Sequence, residues 1–192
     1  MELGRPENKG LKRGWRTVEE AHAALAGSAA EGAVSLADCE ALVGARAVRL
    51  CGGPDISVRV GRADAAVPDP EGRLPSEVAA IGELKSAFAG MGFSAREFVA
   101  LCGAHTIGSK GFGGPLEFDN AYYRTLPQRP WAAPGASEMD KMTGLPSDHV
   151  LVDDPECLSA VKAFAADQGR FFDEFRAAYI KLTEIGWSGS PA

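Results

Sequence analysis

The chain of 192 residues is poor in the residue types that build metal clusters: it has three histidines and four cysteines, with no Cys-x-x-Cys pair. Without His, Cys and carboxylates at short spacing, a structural zinc site is excluded. Cys39, Cys51, Cys102 and Cys157 lie too far apart for a tight disulfide framework, and two of them fall inside helix-like patterns. They read as free thiols packed like small hydrophobes, which suits a reducing, intracellular compartment. Long apolar runs are also missing. The longest, from Phe98 to Ala104, is far short of the ~20 residues that cross a bilayer. There is no surplus of positive charge: 20 Lys and Arg against 26 Asp and Glu give a net charge of −6. Such a surface is a poor partner for nucleic acid or an anionic membrane. Met1 is followed by Glu-Leu-Gly-Arg-Pro-Glu-Asn, with no apolar stretch that would mark a secretion signal.

What is present is ordinary globular composition, 45% hydrophobic and 24% charged, enough for a core and sized for one domain over residues 1–192. Leu11, Trp15, Val18 and Leu25 recur on one helical stripe that also carries His22. Ser35 with Asp38 forms a capping-box pattern that opens a helix running to about Leu50, where Gly52-Gly53-Pro54 stops it. Ile56, Val58 and Val60 alternate with polar residues and predict one short strand. A helix is expected from about Ser76 to Gly90, with Val78, Ile81, Leu84 and Phe88 on its apolar side. Ser94 with Glu97 opens another, and a short one is expected over Phe118 to Leu126. Asp154-Pro155 reads as a cap and first-turn pair for a helix to about Ala166. Phe171, Phe172, Phe175, Ala178, Tyr179 and Leu182 mark a last helix ending at Gly186. With about seven helices and almost no sheet, the expected class is all-α.

Among the histidines, His22 on its apolar stripe and His149 in a turn-like context read as packed side chains. His105 differs, because it shares a helix face with Phe98 and Leu101 at spacings of three and four. An apolar wall favours the neutral imidazole that ligates metals. A satisfied core histidine accounts for the same spacing, and both readings stay open on spacing alone.

The segment Leu101-Cys102-Gly103-Ala104-His105-Thr106-Ile107-Gly108 resembles the proximal haem-ligand motif of plant-type haem peroxidases. Arg5-Pro6-Glu7-Asn8-Lys9-Gly10-Leu11, Val34 to Asp38, Gly52-Gly53-Pro54 and Gly61-Arg62-Ala63-Asp64 follow that family in order. So do Pro70 to Pro75, Phe118-Asp119-Asn120-Ala121-Tyr122-Tyr123 and Leu145-Pro146-Ser147-Asp148. The resemblance covers essentially the whole chain. It points to the intracellular, disulfide-free ascorbate peroxidase group, and Gly108 to Pro115 is most similar to the ascorbate peroxidase-related branch.

The resemblance implies a haem-peroxidase-like helical fold and haem b, with His105 as the iron ligand. Asp148 would accept the hydrogen bond from the other ring nitrogen of His105; on its own context, Asp148 also reads as a helix cap. Leu101, Ala104, Gly108, Ser109 and Lys110 would complete the haem-binding set. Thr106 and Asp119 match positions that hold a monovalent or divalent cation in relatives, while a shortened loop removes other ligands. As bland roles, Thr106 could bond back to a helix carbonyl and Asp119 could cap a helix. The implied partners are hydrogen peroxide and a small reducing substrate, with no nucleic acid or membrane. The compartment suggested by resemblance is the plastid, otherwise the cytoplasm.

Three departures temper this. The family's distal His and Arg, which move the peroxide proton and stabilise the departing oxygen, would precede residue 1, and neither His22 nor Arg5 matches them. The tryptophan that relatives place beside the proximal His is absent; Phe112 is the one aromatic in that stretch, and Trp15, Trp131 and Trp187 lie elsewhere. The Arg used for ascorbate falls in the shortened loop, leaving Lys110 as the nearest cation. Two functional expectations follow: a haem-dependent peroxidase of oxidative-stress response of which this chain is a part, or a peroxidase-like haem-binding or haem-free scaffold without turnover. An unrelated helical binding module would show no haem uptake at all.

Overall fold

The computed structural model describes residues 2–108, 110–131 and 143–187. The elements are α1 (Lys12–Ala23), α2 (Leu36–Leu50), α3 (Ile81–Gly90), α4 (Ala95–Cys102), α5 (Ala121–Thr125), α6 (Pro146–His149), α7 (Pro155–Ala166) and α8 (Gln168–Thr183). Short 3-10 turns precede α1 and follow α4 and α6. The all-α class is thus observed, with no strand among the described residues.

The helix starts follow from local chemistry. At α2, Ser35 Oγ accepts the Asp38 amide at 3.0 Å while Asp38 Oδ2 accepts the Ser35 amide at 3.4 Å. Ser94 and Glu97 do the same at α4, at 3.2 and 2.8 Å. Asp154 accepts the amides of Glu156 and Cys157 ahead of α7, with Pro155 in the first position, where its missing N–H is no loss. Asp167 caps α8 through the Arg170 amide at 3.0 Å.

Three sequence expectations need correction. The helix expected from Ser76 begins at Ile81, because Glu83 reaches back to the Ala80 amide at 3.3 Å and fixes the start there. Val78, outside the helix, is exposed. The last helix ends at Thr183, with Gly186 beyond it in the left-handed region at φ +74. The strand at Ile56 to Val60 is extended backbone with no strand to pair with among the described residues. Its alternation records one-sided packing: Ile56 is buried, Val58 packs on the core and Val60 faces out. Arg176 Nε donates to the Asp55 carbonyl at 2.9 Å and Arg59 pairs with Glu184, so this segment is held along α8.

Its far end is fastened by Asp38, whose side chain is fully buried. The carboxylate accepts the amides of Gly61 (2.9 Å) and Arg62 (3.1 Å) and the Arg62 guanidinium (2.9 Å). Burial pushes the Asp38 pKa up, but these donors and the Ser35 amide outweigh it and hold the carboxyl below its ordinary value. A depressed folded pKa gives stability that is complete above the unfolded value of about 3.9 and is lost as pH falls through the folded one. The chain should therefore lose stability below about pH 4. Asp38→Asn should remove the Asp38 part of that dependence along with about 2 kcal/mol at neutral pH, leaving the parts of Glu97, Asp154 and Glu184, whose carboxyls are also held low. Urea melts of both proteins across pH 2–6 check this.

α1 packs on α2, while α4 lies against α7 and α8 and α5 against α7. Between them Phe118 stacks on Phe171 (centroids 5.4 Å), and Tyr123 meets Phe171 edge-on at 4.9 Å. Phe164, Phe175 and Tyr122 complete a fully enclosed aromatic centre. One side of α4 faces this centre and the other lines a cleft.

Candidate active site

α4 gives way to a 3-10 turn over Gly103–Thr106. Gly103 is required there for space: a Cβ would lie 2.5 and 2.7 Å from ring carbons of Phe171 and collide with the Tyr123 hydroxyl. The turn carries His105 out of the core side. Phe98, Leu101, Cys102 and His105, spaced by three, one and three residues, line one cleft with Leu84 and Phe88 of α3. The cleft holds about 680 Å³, within the range of cofactor sites.

His105 Nδ1 lies 2.7 Å from Asp148 Oδ1. An ionised carboxylate only accepts, so Nδ1 carries the proton and a neutral imidazole keeps a bare lone pair on Nε2. No described residue bonds Nε2. The ring is 42% exposed and the Asp148 side chain 1% exposed, so the histidine faces the cleft while its holder is buried. Burial lowers the His105 pKa, the hydrogen bond and charge of Asp148 raise it more, and Lys110 opposes weakly; the net shift is upward.

Asp148 is itself fixed. Oδ1 also accepts the Tyr122 hydroxyl at 2.8 Å, and Oδ2 accepts the Leu145 amide at 2.7 Å at the start of α6. The cap reading needs correction: Leu145 holds the cap position and Asp148 lies inside α6 at its third residue, from which Oδ2 reaches back to the Leu145 amide while Oδ1 holds the histidine.

The donor set fits haem. One imidazole nitrogen is free, the other is fixed by a carboxylate, and Leu84, Phe88, Phe98, Leu101 and Leu145 supply an apolar wall for a flat macrocycle. A second cleft of about 450 Å³, lined by Arg73, Ser76, Glu83 and Ser86, lies along the same loop but has no histidine or cysteine.

Of the other residues expected at the haem, Leu101 lines the cleft, whereas Ala104, Gly108 and Lys110 do not. The tightening of the chain at Gly103 turns Ala104 onto the core. Gly108 is tied by its amide to the Pro115 carbonyl at 2.8 Å, and the Lys110 carbonyl accepts the Gly144 amide at 2.8 Å, so both belong to the loop behind the turn. Ser109 lies outside the described residues.

Thr106 donates to Asp119 Oδ1 at 2.9 Å, and that same oxygen accepts the Ala121 amide at 2.9 Å at the start of α5. Arg124 stands 3.6 Å from Asp119 Oδ2. The chain therefore satisfies Asp119 with its own donors, and no group of three His, Cys, Asp or Glu able to hold a metal occurs among the described residues.

No tryptophan lines the cleft. Trp131 stacks on His149 at 3.9 Å with planes 3° apart, and Trp187 lies under Arg59 and Arg62. His149 Nε2 sits 2.6 Å from the Thr143 carbonyl, so it is a satisfied histidine, as expected. Beside the His105–Asp148 pair stand Phe112 and Tyr122, edge to face at 4.6 Å. Sequence reasoning passed over Tyr122 as a site residue, although it sits in the Phe118-to-Tyr123 motif; nothing local announces that its hydroxyl reaches position 148.

This helical fold, with a half-exposed imidazole held by a buried carboxylate at the head of a cleft, defines a peroxidase-like architecture. A family model described as peroxidase matches residues 1–167, and the chain belongs to the peroxidase family. It is 51% identical over 185 residues to "Putative L-ascorbate peroxidase 6" of Arabidopsis thaliana, covering 96% of this chain and 55% of that protein. It is 37% identical over 165 residues to cytosolic L-ascorbate peroxidase 2 of the same plant, covering 81% of this chain and 62% of that protein. A cytosolic L-ascorbate peroxidase 1 of Oryza sativa subsp. indica is also 37% identical, over 81% of this chain and 63% of its own length. The chain thus spans a little over half the length of these relatives. None of the described helices is long and apolar enough to cross a membrane.

Proposed function

We propose that residues 1–192 form one haem-anchoring domain of a haem peroxidase, which reduces hydrogen peroxide at the expense of a small organic donor in an intracellular response to oxidative stress. The observation that carries this is the 2.7 Å contact from His105 Nδ1 to the buried Asp148, with the rest of the ring open to an apolar cleft.

Bound haem would supply the redox chemistry that peroxide reduction needs. The chain's own part is to hold and tune. Asp148 fixes the tautomer and rotation of His105 and, by drawing on the Nδ1 proton, gives the imidazole anionic character that makes Nε2 a stronger donor. Leu84, Phe88, Phe98 and Leu101 give that face an apolar lining. Glu7, Glu71 and Glu77 line the cleft, and no described lining residue is Lys or Arg. That charge pattern favours a neutral or cationic donor over an anionic one such as ascorbate.

Haem reconstitution tests the reading. The wild-type chain should give the absorption and magnetic spectra of histidine-ligated haem. His105→Ala should lose that ligation and weaken haem binding by more than about 100-fold, beyond the usual cost of losing a ligand's hydrogen-bond partner. Identical spectra from the two proteins would refute it.

A further inference from the structure

We propose that Tyr122 is a positioning residue that sets the donor strength of His105, because its hydroxyl and the His105 Nδ1–H share a single oxygen of Asp148. The inference rests on His105 being the iron ligand.

The two donors approach Asp148 Oδ1 at 2.7 Å from His105 and 2.8 Å from Tyr122, while Oδ2 receives the Leu145 amide. Charge-assisted hydrogen bonds draw on the negative charge of the acceptor. When two donors meet on one oxygen, each weakens what the other receives. Tyr122 cannot turn away from this arrangement. It is fully buried, its ring is wedged edge-on between Phe112 (4.6 Å) and Tyr123 (4.9 Å), and a buried hydroxyl must keep a partner. Nor does a tryptophan take that place, since Trp131 and Trp187 are engaged elsewhere. The tyrosine thus limits how far Asp148 pulls the imidazole proton. With the hydroxyl removed, the full charge of Oδ1 falls on Nδ1–H, the ring becomes more anionic and a bound ferric ion is favoured over ferrous.

The test is Tyr122→Phe in the full chain, with site-specific 3-fluorotyrosine at position 122 as the opposite perturbation, since a more acidic phenol donates more strongly. Two readouts are taken. In the haem-free chain, the Nδ1-bound proton resonance of His105 in 15N-histidine-labelled protein should move downfield in Tyr122→Phe and upfield with fluorotyrosine. In the reconstituted chain, the Fe(III)/Fe(II) potential should move negative in Tyr122→Phe, by up to about a tenfold change in the equilibrium, which is about 59 mV for one electron. Fluorotyrosine should move it positive. A folded Tyr122→Phe protein with an unmoved resonance would overturn the proposal. Should Tyr122→Phe fail to fold, fluorotyrosine keeps ring and hydroxyl and decides alone. If no haem binds, the anchoring role of His105 fails, while the resonance in the haem-free chain still decides the role of Tyr122.

Discussion

Asp148→Ala is expected to lower stability by about 3–5 kcal/mol and haem retention by about 10- to 100-fold. The carboxylate receives three donors: the imidazole of His105, the hydroxyl of Tyr122 and the amide of Leu145. Removing it strands all three. The Tyr122 hydroxyl, fully enclosed, bears the full cost of lost solvation, about 1–3 kcal/mol for such a group. His105 can recover a water on its exposed side, but then its ring turns and the cleft loses a fixed ligand. Asp148→Asn keeps the shape and part of the bonding, so it should fall between wild type and alanine. Urea titrations give the stability and haem titrations the affinity. A change under about 1 kcal/mol in the alanine variant would mean that the hub is not carrying its donors.

The second large effect is expected behind the site rather than in it. Phe171 contacts Phe118, Tyr123, Phe164 and Phe175, with ring centroids from 4.9 to 6.1 Å. Phe171→Ala should cost about 3–5 kcal/mol through lost burial and the cavity left in a centre of rigid rings. Gly103→Ala perturbs the same contact in the opposite sense, driving a methyl into the Phe171 ring. It should cost about 1–3 kcal/mol by overpacking. Because Gly103 opens the turn that bears His105, it should also displace the imidazole. The two variants separate by spectroscopy: Phe171→Ala should leave the His105 Nδ1 proton near its wild-type shift, while Gly103→Ala should move it. Combining them should restore part of the lost stability, since the alanine at 171 makes room for the methyl at 103.

Much of this was readable from residues near one another in the chain. The capping boxes at Ser35 and Ser94 and the Asp154-Pro155 start declare themselves over three or four positions. The shared face of Phe98, Leu101 and His105 follows from helical spacing. The His105–Asp148 contact, 43 positions apart, came from the family resemblance and not from local pattern, and the expectations that failed were ones that depended on a distant neighbour. Ile56 to Val60 alternates as a strand does, but whether a partner strand exists is not a local property, and α8 turned out to hold the segment instead. Ala104 and Lys110 sit close to His105 in sequence, yet the tight turn at Gly103 puts Ala104 on the core and the bond from the Gly144 amide keeps Lys110 in the loop behind the turn. Leu84 and Phe88 reach it from α3, and no pattern around His105 points to them. Thr106 and Asp119 do meet, as the resemblance implied, but they satisfy each other.

The imidazole and its carboxylate are separated by 43 positions, and the tyrosine by 26 from that carboxylate. Ring orientation at position 105 is therefore a product of chain closure and not of the helix that bears it. During folding, the first stretch able to offer this nitrogen would offer it on a freely spinning ring, and an early-arriving porphyrin would meet a wobbling hand instead of a clamp. A ligand that binds only the closed form then acts as a late fastener, drawing the two distant segments together in proportion to how strongly it prefers them joined.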